Sequence, residues 1–133
     1  MADLNHTIIN VRNKEVSSKF LAEIIGLEIQ PQWGRFIPVQ TANGVTLDFA
    51  DAEGFRSQHY AFILSDEEFD AALERLKKSG TKYYSHIDRT VEGEINTLWG
   101  GKGVYFYDPS GHLLEMITKP YGDQIELVAY MKR

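Results

Sequence analysis

Four residues in this chain have the types and the spacing for metal chemistry: His6, Asp48, His59 and Glu115. His6 and His59 lie 53 residues apart, and Asp48 and Glu115 lie 67 apart. Each falls in a short stretch that alternates apolar and polar side chains, the period of a β-strand. Taken alone, a strand histidine is usually hydrogen-bonded or exposed, and a lone strand carboxylate is usually solvated. Placement at equivalent points of two similar segments outweighs that reading. Two imidazoles and one or two carboxylates brought to one point would hold a divalent cation, which offsets the cost of burying the carboxylates. Two His and one carboxylate on one side of an ion leave other positions open to water, dioxygen or substrate. The chain has no cysteine, which removes thiol ligands, disulfides, iron–sulfur clusters and thiol nucleophiles. His86 and His112 are poorer candidates: His86 has no counterpart in the repeat, and His112 alternates onto the side of Leu114 and Met116.

The elements that must position these residues repeat once. Leu4–Val11 reads as a strand, and Asn13 caps a helix to about Ile25 with Val16, Phe20 and Ile24 on its apolar stripe. Three β-like runs follow, Leu27–Gln32, Arg35–Thr41 and Val45–Ala50, the last two joined by the hairpin signal Asn43-Gly44. The order then recurs with a strand at Gln58–Leu64. A Ser65/Glu68 capping box opens a helix to about Lys78, with Phe69, Ala72, Leu73 and Leu76 inward. Strands near Lys82–His86, Lys102–Tyr107 and His112–Thr118 complete it, the last two linked by the type I turn residues Asp108-Pro109-Ser110-Gly111. The pairs Val16/Phe69 and Phe20/Leu73 keep the 53-residue offset of the histidines. Alternation places Tyr60, Tyr105 and Tyr107 toward the helices, and it leaves Asp88–Gly101 as an extra loop of the second half. Its glycines would let it close over the site, and Arg89 and Trp99 in it are candidate substrate contacts by charge and stacking; a plain long hairpin connection is the bland alternative.

The fold class expected is α+β: two βαβββ modules forming a curved eight-stranded mixed sheet, or half-barrel, with the helices outside. A chain of 133 residues can bury one good core, so a single domain 1–133 is expected, with modules at about 4–50 and 57–118 and a C-terminal tail at 119–133. The net charge of −5, with no basic cluster, argues against a nucleic-acid partner. No run approaches a membrane span. The polar N-terminus does not read as a signal peptide, which makes the cytoplasm the expected compartment.

The paired modules, with His6 and His59 in their first strands and Glu115 in the segment Val104–Glu115, resemble the vicinal oxygen chelate superfamily, also called the glyoxalase/bleomycin-resistance/dioxygenase superfamily. The resemblance spans about residues 4–118, and its most specific part is Asp108-Pro109-x-Gly111-x-x-x-Glu115. The stretches 59–70, 93–96 and 117–122 resemble its ChaP-like dioxygenase group most. The resemblance implies His6, His59 and Glu115 as metal ligands and a chemistry in which the metal chelates two neighbouring substrate oxygens. In glyoxalase I a Glu in the fourth strand is a further ligand. Asp48 stands there one methylene shorter, and is expected to bind a metal water or act as a base.

The function so implied is a non-heme Fe(II), extradiol-type dioxygenase, an oxidoreductase acting on a small aromatic or polycyclic substrate with vicinal oxygens. Mn(II), Zn(II) or Ni(II) are the alternative ions, and a homodimer is expected. The alternative activity is a glyoxalase- or fosfomycin-resistance-type isomerase, lyase or transferase. A small-molecule binding or resistance protein is the non-enzymatic reading, and the presence of the triad argues against it because bleomycin-binding members lack it.

Overall fold

The period-2 segments become strands, and the chain builds the same βαβββ module twice. The computed structural model describes residues 1–120, apart from the Trp99 side chain. Most of the expected tail, from 121 onward, lies outside the described residues. The chain divides into two compact units, Met1–Gln58 with Asp108–His112, and His59–Tyr107 with Leu113–Arg133.

In the first unit β1 (His6–Val11) leads into α1 (Lys14–Leu21), a π-helical turn (Ala22–Gly26), β2 (Glu28–Ile29), β3 (Ile37–Gln40) and β4 (Thr46–Asp51). The sheet order is β1-β4-β3-β2. β1 runs parallel to β4, while β3 is antiparallel to both of its neighbours. A parallel pair needs a long crossover, and the helix with two short strands provides it. Asn13 caps α1 as expected, its side chain accepting from the backbone N–H of Glu15 and Val16. Ile9, Val11, Ile37, Val39, Leu47 and Phe49 are buried together with Leu21, Ala22, Ile24 and Ile25.

The helix stripe differs from the expected one by a position. Val16 is 49% exposed, and Ser17 and Ser18 are buried instead. The cause is the turn Asp108–His112, which belongs to this unit: Ser110 Oγ meets Ser17 Oγ at 3.1 Å and accepts the Arg12 backbone N–H at 3.0 Å. The inward face of α1 is thus chosen by a polar partner, and apolar periodicity alone does not register one.

The second unit repeats the topology with β5 (His59–Ile63), α2 (Asp66–Lys78), β6 (Tyr83–Tyr84), β7 (Gly103–Tyr107) and β8 (Leu113–Ile117), in the order β5-β8-β7-β6. β5 and β8 are parallel, and β7 is antiparallel to β6 and β8. The capping box is formed on both sides: Glu68 N–H donates to Ser65 Oγ at 3.1 Å, and Ser65 N–H donates to the Glu68 carboxylate at 2.8 Å. Phe69, Ala72 and Leu76 of α2 are fully buried, as are Val104, Phe106 and Met116. The fold is α+β, with eight strands in two four-stranded mixed sheets among the described residues.

Candidate metal centre

The parallel pairing of β5 and β8 sets His59 opposite Leu113 and Ala61 opposite Glu115. His59 and Glu115 therefore share the sheet face turned away from the core residues Leu114 and Met116. Glu115 is 1% exposed, and its Oε1 lies 3.0 Å from His59 Nε2. The other ring nitrogen, Nδ1, lies 2.9 Å from the Leu113 carbonyl oxygen. A carbonyl only accepts, so Nδ1 carries the hydrogen and Nε2 is the nitrogen presented to the carboxylate. In the neutral ring two lone pairs then face each other. That arrangement is stable only with a positive charge between or on them: a proton, giving an imidazolium–carboxylate pair, or a cation bound by both. Histidine ligands typically donate their second ring N–H to a backbone carbonyl in this way.

The first unit contains the same construction. His6 pairs with Thr46, so Asp48 follows two residues along β4, as Glu115 follows Leu113 along β8. Asp48 is 3% exposed, and its Oδ1 is buried with no hydrogen-bond partner among the described residues. A buried carboxylate oxygen without a donor is costly. His6 is exposed, and its Nδ1 is 2.7 Å from Asn5 Oδ1, a bond that again leaves Nε2 for another partner. Imidazole Nε2 atoms and buried carboxylates form a donor set suited to a divalent first-row ion, so the residues fit the ion the sequence implies. His59 and Glu115 are brought together. Among the described residues no set of three His, Asp or Glu side chains is gathered to hold an ion, and His6 and Asp48 stand on the first unit's own sheet face.

The tyrosines correct an expectation. Tyr105 pairs with Glu115, and Tyr107 with Leu113, so both share the His59–Glu115 face and not the helix side. Tyr84, opposite Tyr105, extends the same row. The Tyr105 ring stacks on the His59 imidazole, with centroids 6.1 Å apart and 27° between planes. Sequence reasoning missed this platform, although the signal was present: counting back from the turn at 108–111 puts Tyr105 across from Glu115. Of the candidate contacts, Arg89 has its guanidinium 5.7 Å from the Tyr107 ring centroid. Trp99 lies in a 3₁₀ turn, Leu98–Gly100, with its side chain outside the described ones.

The extra loop is tied down. Asn96 and Gly103 exchange both backbone hydrogen bonds at 2.9 Å, and Asn96 Nδ2 donates to the Ser85 carbonyl at 2.9 Å. A Cβ at Gly103 would come within 2.8 Å of Asn96 Oδ1, so a side chain there would displace this clasp. His112 is structural, as its alternation suggests. It is 2% exposed, Gln58 N–H donates to its Nδ1 at 2.9 Å, and its Nε2–H donates to the Asn10 carbonyl at 2.7 Å. His86 bonds to its neighbour, Nδ1 to Ser85 Oγ, at 2.6 Å.

Comparison with known proteins agrees with this architecture. The solved structure of Oxidase ChaP-H2 superposes with a TM-score of 0.89 at 47% identity, covering 92% of this chain and 97% of that one. Oxidase ChaP-H1 gives 0.88 at 44% identity, covering 92% and 100%. Glutathione transferase FosA of Serratia marcescens is 26% identical over 87% of this chain and 80% of its own length. Residues 3–116 match the family described as the Glyoxalase/Bleomycin resistance protein/Dioxygenase superfamily. With that match and a βαβββ module built twice, the chain belongs to the glyoxalase/bleomycin-resistance/dioxygenase superfamily.

Proposed function

We propose that this chain is a metal-dependent dioxygenase-like oxidase acting on a small aromatic or polycyclic substrate with vicinal oxygens. His6, His59 and Glu115 are its ligands and Fe(II) is its ion. The observation that carries the reading is the His59–Glu115 pair: Nε2 and Oε1 face each other at 3.0 Å while Nδ1 is committed to the Leu113 carbonyl. His6 enters by its equivalence to His59 in strand position, in pairing and in the commitment of Nδ1. The likeness to two proteins named oxidases, at 44% and 47% identity, supports the oxidative branch. A homodimer in the cytoplasm belongs to the same proposal.

When bound, the ion would supply Lewis-acid polarisation of two adjacent substrate oxygens. The chain supplies the rest. Tyr107, which is exposed, offers flat apolar surface on the His59 face for an aromatic ring to lie against, and the buried Tyr105 backs the His59 ring. The Leu113 carbonyl fixes the orientation of the His59 ring. Asp48, whose Oδ1 has no donor among the described residues, accepts a substrate proton. Arg89 and Trp99 contact the substrate by charge and stacking.

The test is elemental analysis of anaerobically purified protein, followed by oxygen uptake with catechol-type compounds. The expected result is about one metal per chain and uptake that depends on it. Metal-dependent turnover that continues without oxygen would overturn the oxidase assignment. It would favour a second reading, thiol transfer, to which the likeness to Glutathione transferase FosA points; conjugation of glutathione to an electrophile under argon would establish that one.

A further inference from the structure

Three turns in this chain share one construction. Gly44 N–H donates to the Thr41 carbonyl at 3.0 Å, Gly111 N–H to Asp108 at 3.0 Å, and Arg89 N–H to His86 at 2.9 Å. The last residue of each turn has positive φ: 84° at Gly44, 93° at Gly111 and 60° at Arg89. This is the left-handed position of a hairpin turn, which glycine occupies at no steric cost. Two of the three carry glycine. The third carries arginine, the one non-glycine residue with positive φ among the described residues. Such a strained position at a binding face points to a side chain retained for what it does.

The surroundings of Arg89 indicate what that is. Its turn closes a short hairpin off β6, held by Ser85 N–H to the Val91 carbonyl at 3.0 Å and Gly93 N–H to Tyr83 at 2.8 Å. The guanidinium rests over the Tyr107 ring, and Tyr107 belongs to the same face as His59 and Glu115. One of its N–H groups goes to the Ile87 carbonyl, and a guanidinium has five donors. The neighbouring carboxylate, Asp88, is taken up by Thr90, accepting its N–H at 3.1 Å and its hydroxyl at 2.7 Å. Among the described residues no carboxylate forms an ion pair with Arg89. In a chain of net charge −5, this fixed cation stands beside an aromatic platform.

We propose that Arg89 is a specificity residue for an anionic aromatic substrate, one whose ring lies against the exposed Tyr107 while a carboxylate oxygen pairs with the guanidinium. The inference rests on the reading of the His59–Glu115 face as the active one, and names the substrate class for it. Arginine suits this role because its planar fork pairs with an oxyanion and stacks on an aromatic ring at once.

The experiment is equilibrium binding under argon of 3,4-dihydroxybenzoate and of catechol to the metal-loaded protein, its Arg89→Gly variant and its Arg89→Lys variant. The wild type is expected to bind the carboxylate-bearing probe about tenfold or more tightly than catechol, the size of one charge-assisted hydrogen bond. Arg89→Gly should lose the preference, and Arg89→Lys should retain part of it. The unfolding midpoint of Arg89→Gly should rise, since glycine relieves the backbone. Equal affinities in the wild type, or a preference that survives in Arg89→Gly, would overturn the proposal. A lowered midpoint with unchanged preference would assign Arg89 a structural role instead. Oxygen uptake by the same preparations separates the two layers. Preference without uptake removes the oxidase reading and leaves the anion site standing; uptake without preference does the reverse.

Discussion

Asp48 and Glu115 occupy the same place in their two sheets, each two residues beyond the position that a histidine pairs with across a parallel ladder. Their surroundings differ. Glu115 Oε1 has His59 Nε2 at 3.0 Å, whereas Asp48 Oδ1 has no partner among the described residues. The repeated topology gives both halves a buried carboxylate, and the longer side chain is the one within hydrogen-bond distance of its histidine.

The two carboxylates are therefore expected to respond differently to amide substitution. On the proposed ligation, Glu115→Gln should lower metal affinity by more than about 100-fold, beyond the 10- to 100-fold typical of a residue that only orients a ligand. Asp48→Asn should keep its metal but lose turnover. Titration calorimetry with Fe(II) or Mn(II), beside steady-state rates, reads both effects. Equal metal loss in the two variants would make Asp48 a fourth ligand.

Metal should stabilise the fold by mass action, by about 2.7 kcal/mol at a free concentration 100 times Kd. The ligands must be deprotonated, so the stabilisation should fade on acidification as protons compete for the imidazole nitrogens. Thermal melts at two pH values, with and without Mn(II), check this. A shift in midpoint that does not vary with pH would exclude histidine ligation.

His112 offers a control. His112→Leu takes the partner from the part-buried Gln58 N–H and Asn10 carbonyl, at a cost of about 1–3 kcal/mol. Metal content should nevertheless stay at the wild-type level. Urea denaturation and elemental analysis on one preparation test both halves of the statement, and metal loss without destabilisation would contradict it.

At the start of α2 the Glu68 carboxyl is held below its ordinary value, first by the Ser65 backbone N–H and then by the Ser65 side chain. The contribution is present above the ordinary Glu value and is lost as pH falls through the lowered folded value. Glu68 is exposed, so solvent screens most of the effect. Ser65→Ala should return the Glu68 titration toward the ordinary value in a carboxyl-detected NMR series. An unmoved titration would mean that the backbone bond holds it alone.

Much of this molecule could be read from its sequence because the signals are local. The spacing of His6 and His59, the caps at Asn13 and Ser65 and the turn at 108–111 all express preferences of a few neighbouring residues. A repeated local pattern gives a repeated module, here two copies of βαβββ, and with it the equivalence of the two His–carboxylate rows. The inner face of α1 was settled elsewhere: Ser17 is buried, not Val16, because Ser110, 93 residues away, offers a hydroxyl there. The side taken by Tyr105 and Tyr107 was settled by pairing across β7 and β8. The backbone of Arg89 was settled by a hairpin closure that requires a left-handed residue at that place, arginine included. Local propensity depends on residues adjacent along the chain, whereas a face, a partner and a strained φ depend on which distant segment arrives beside them, and only the folded chain decides that.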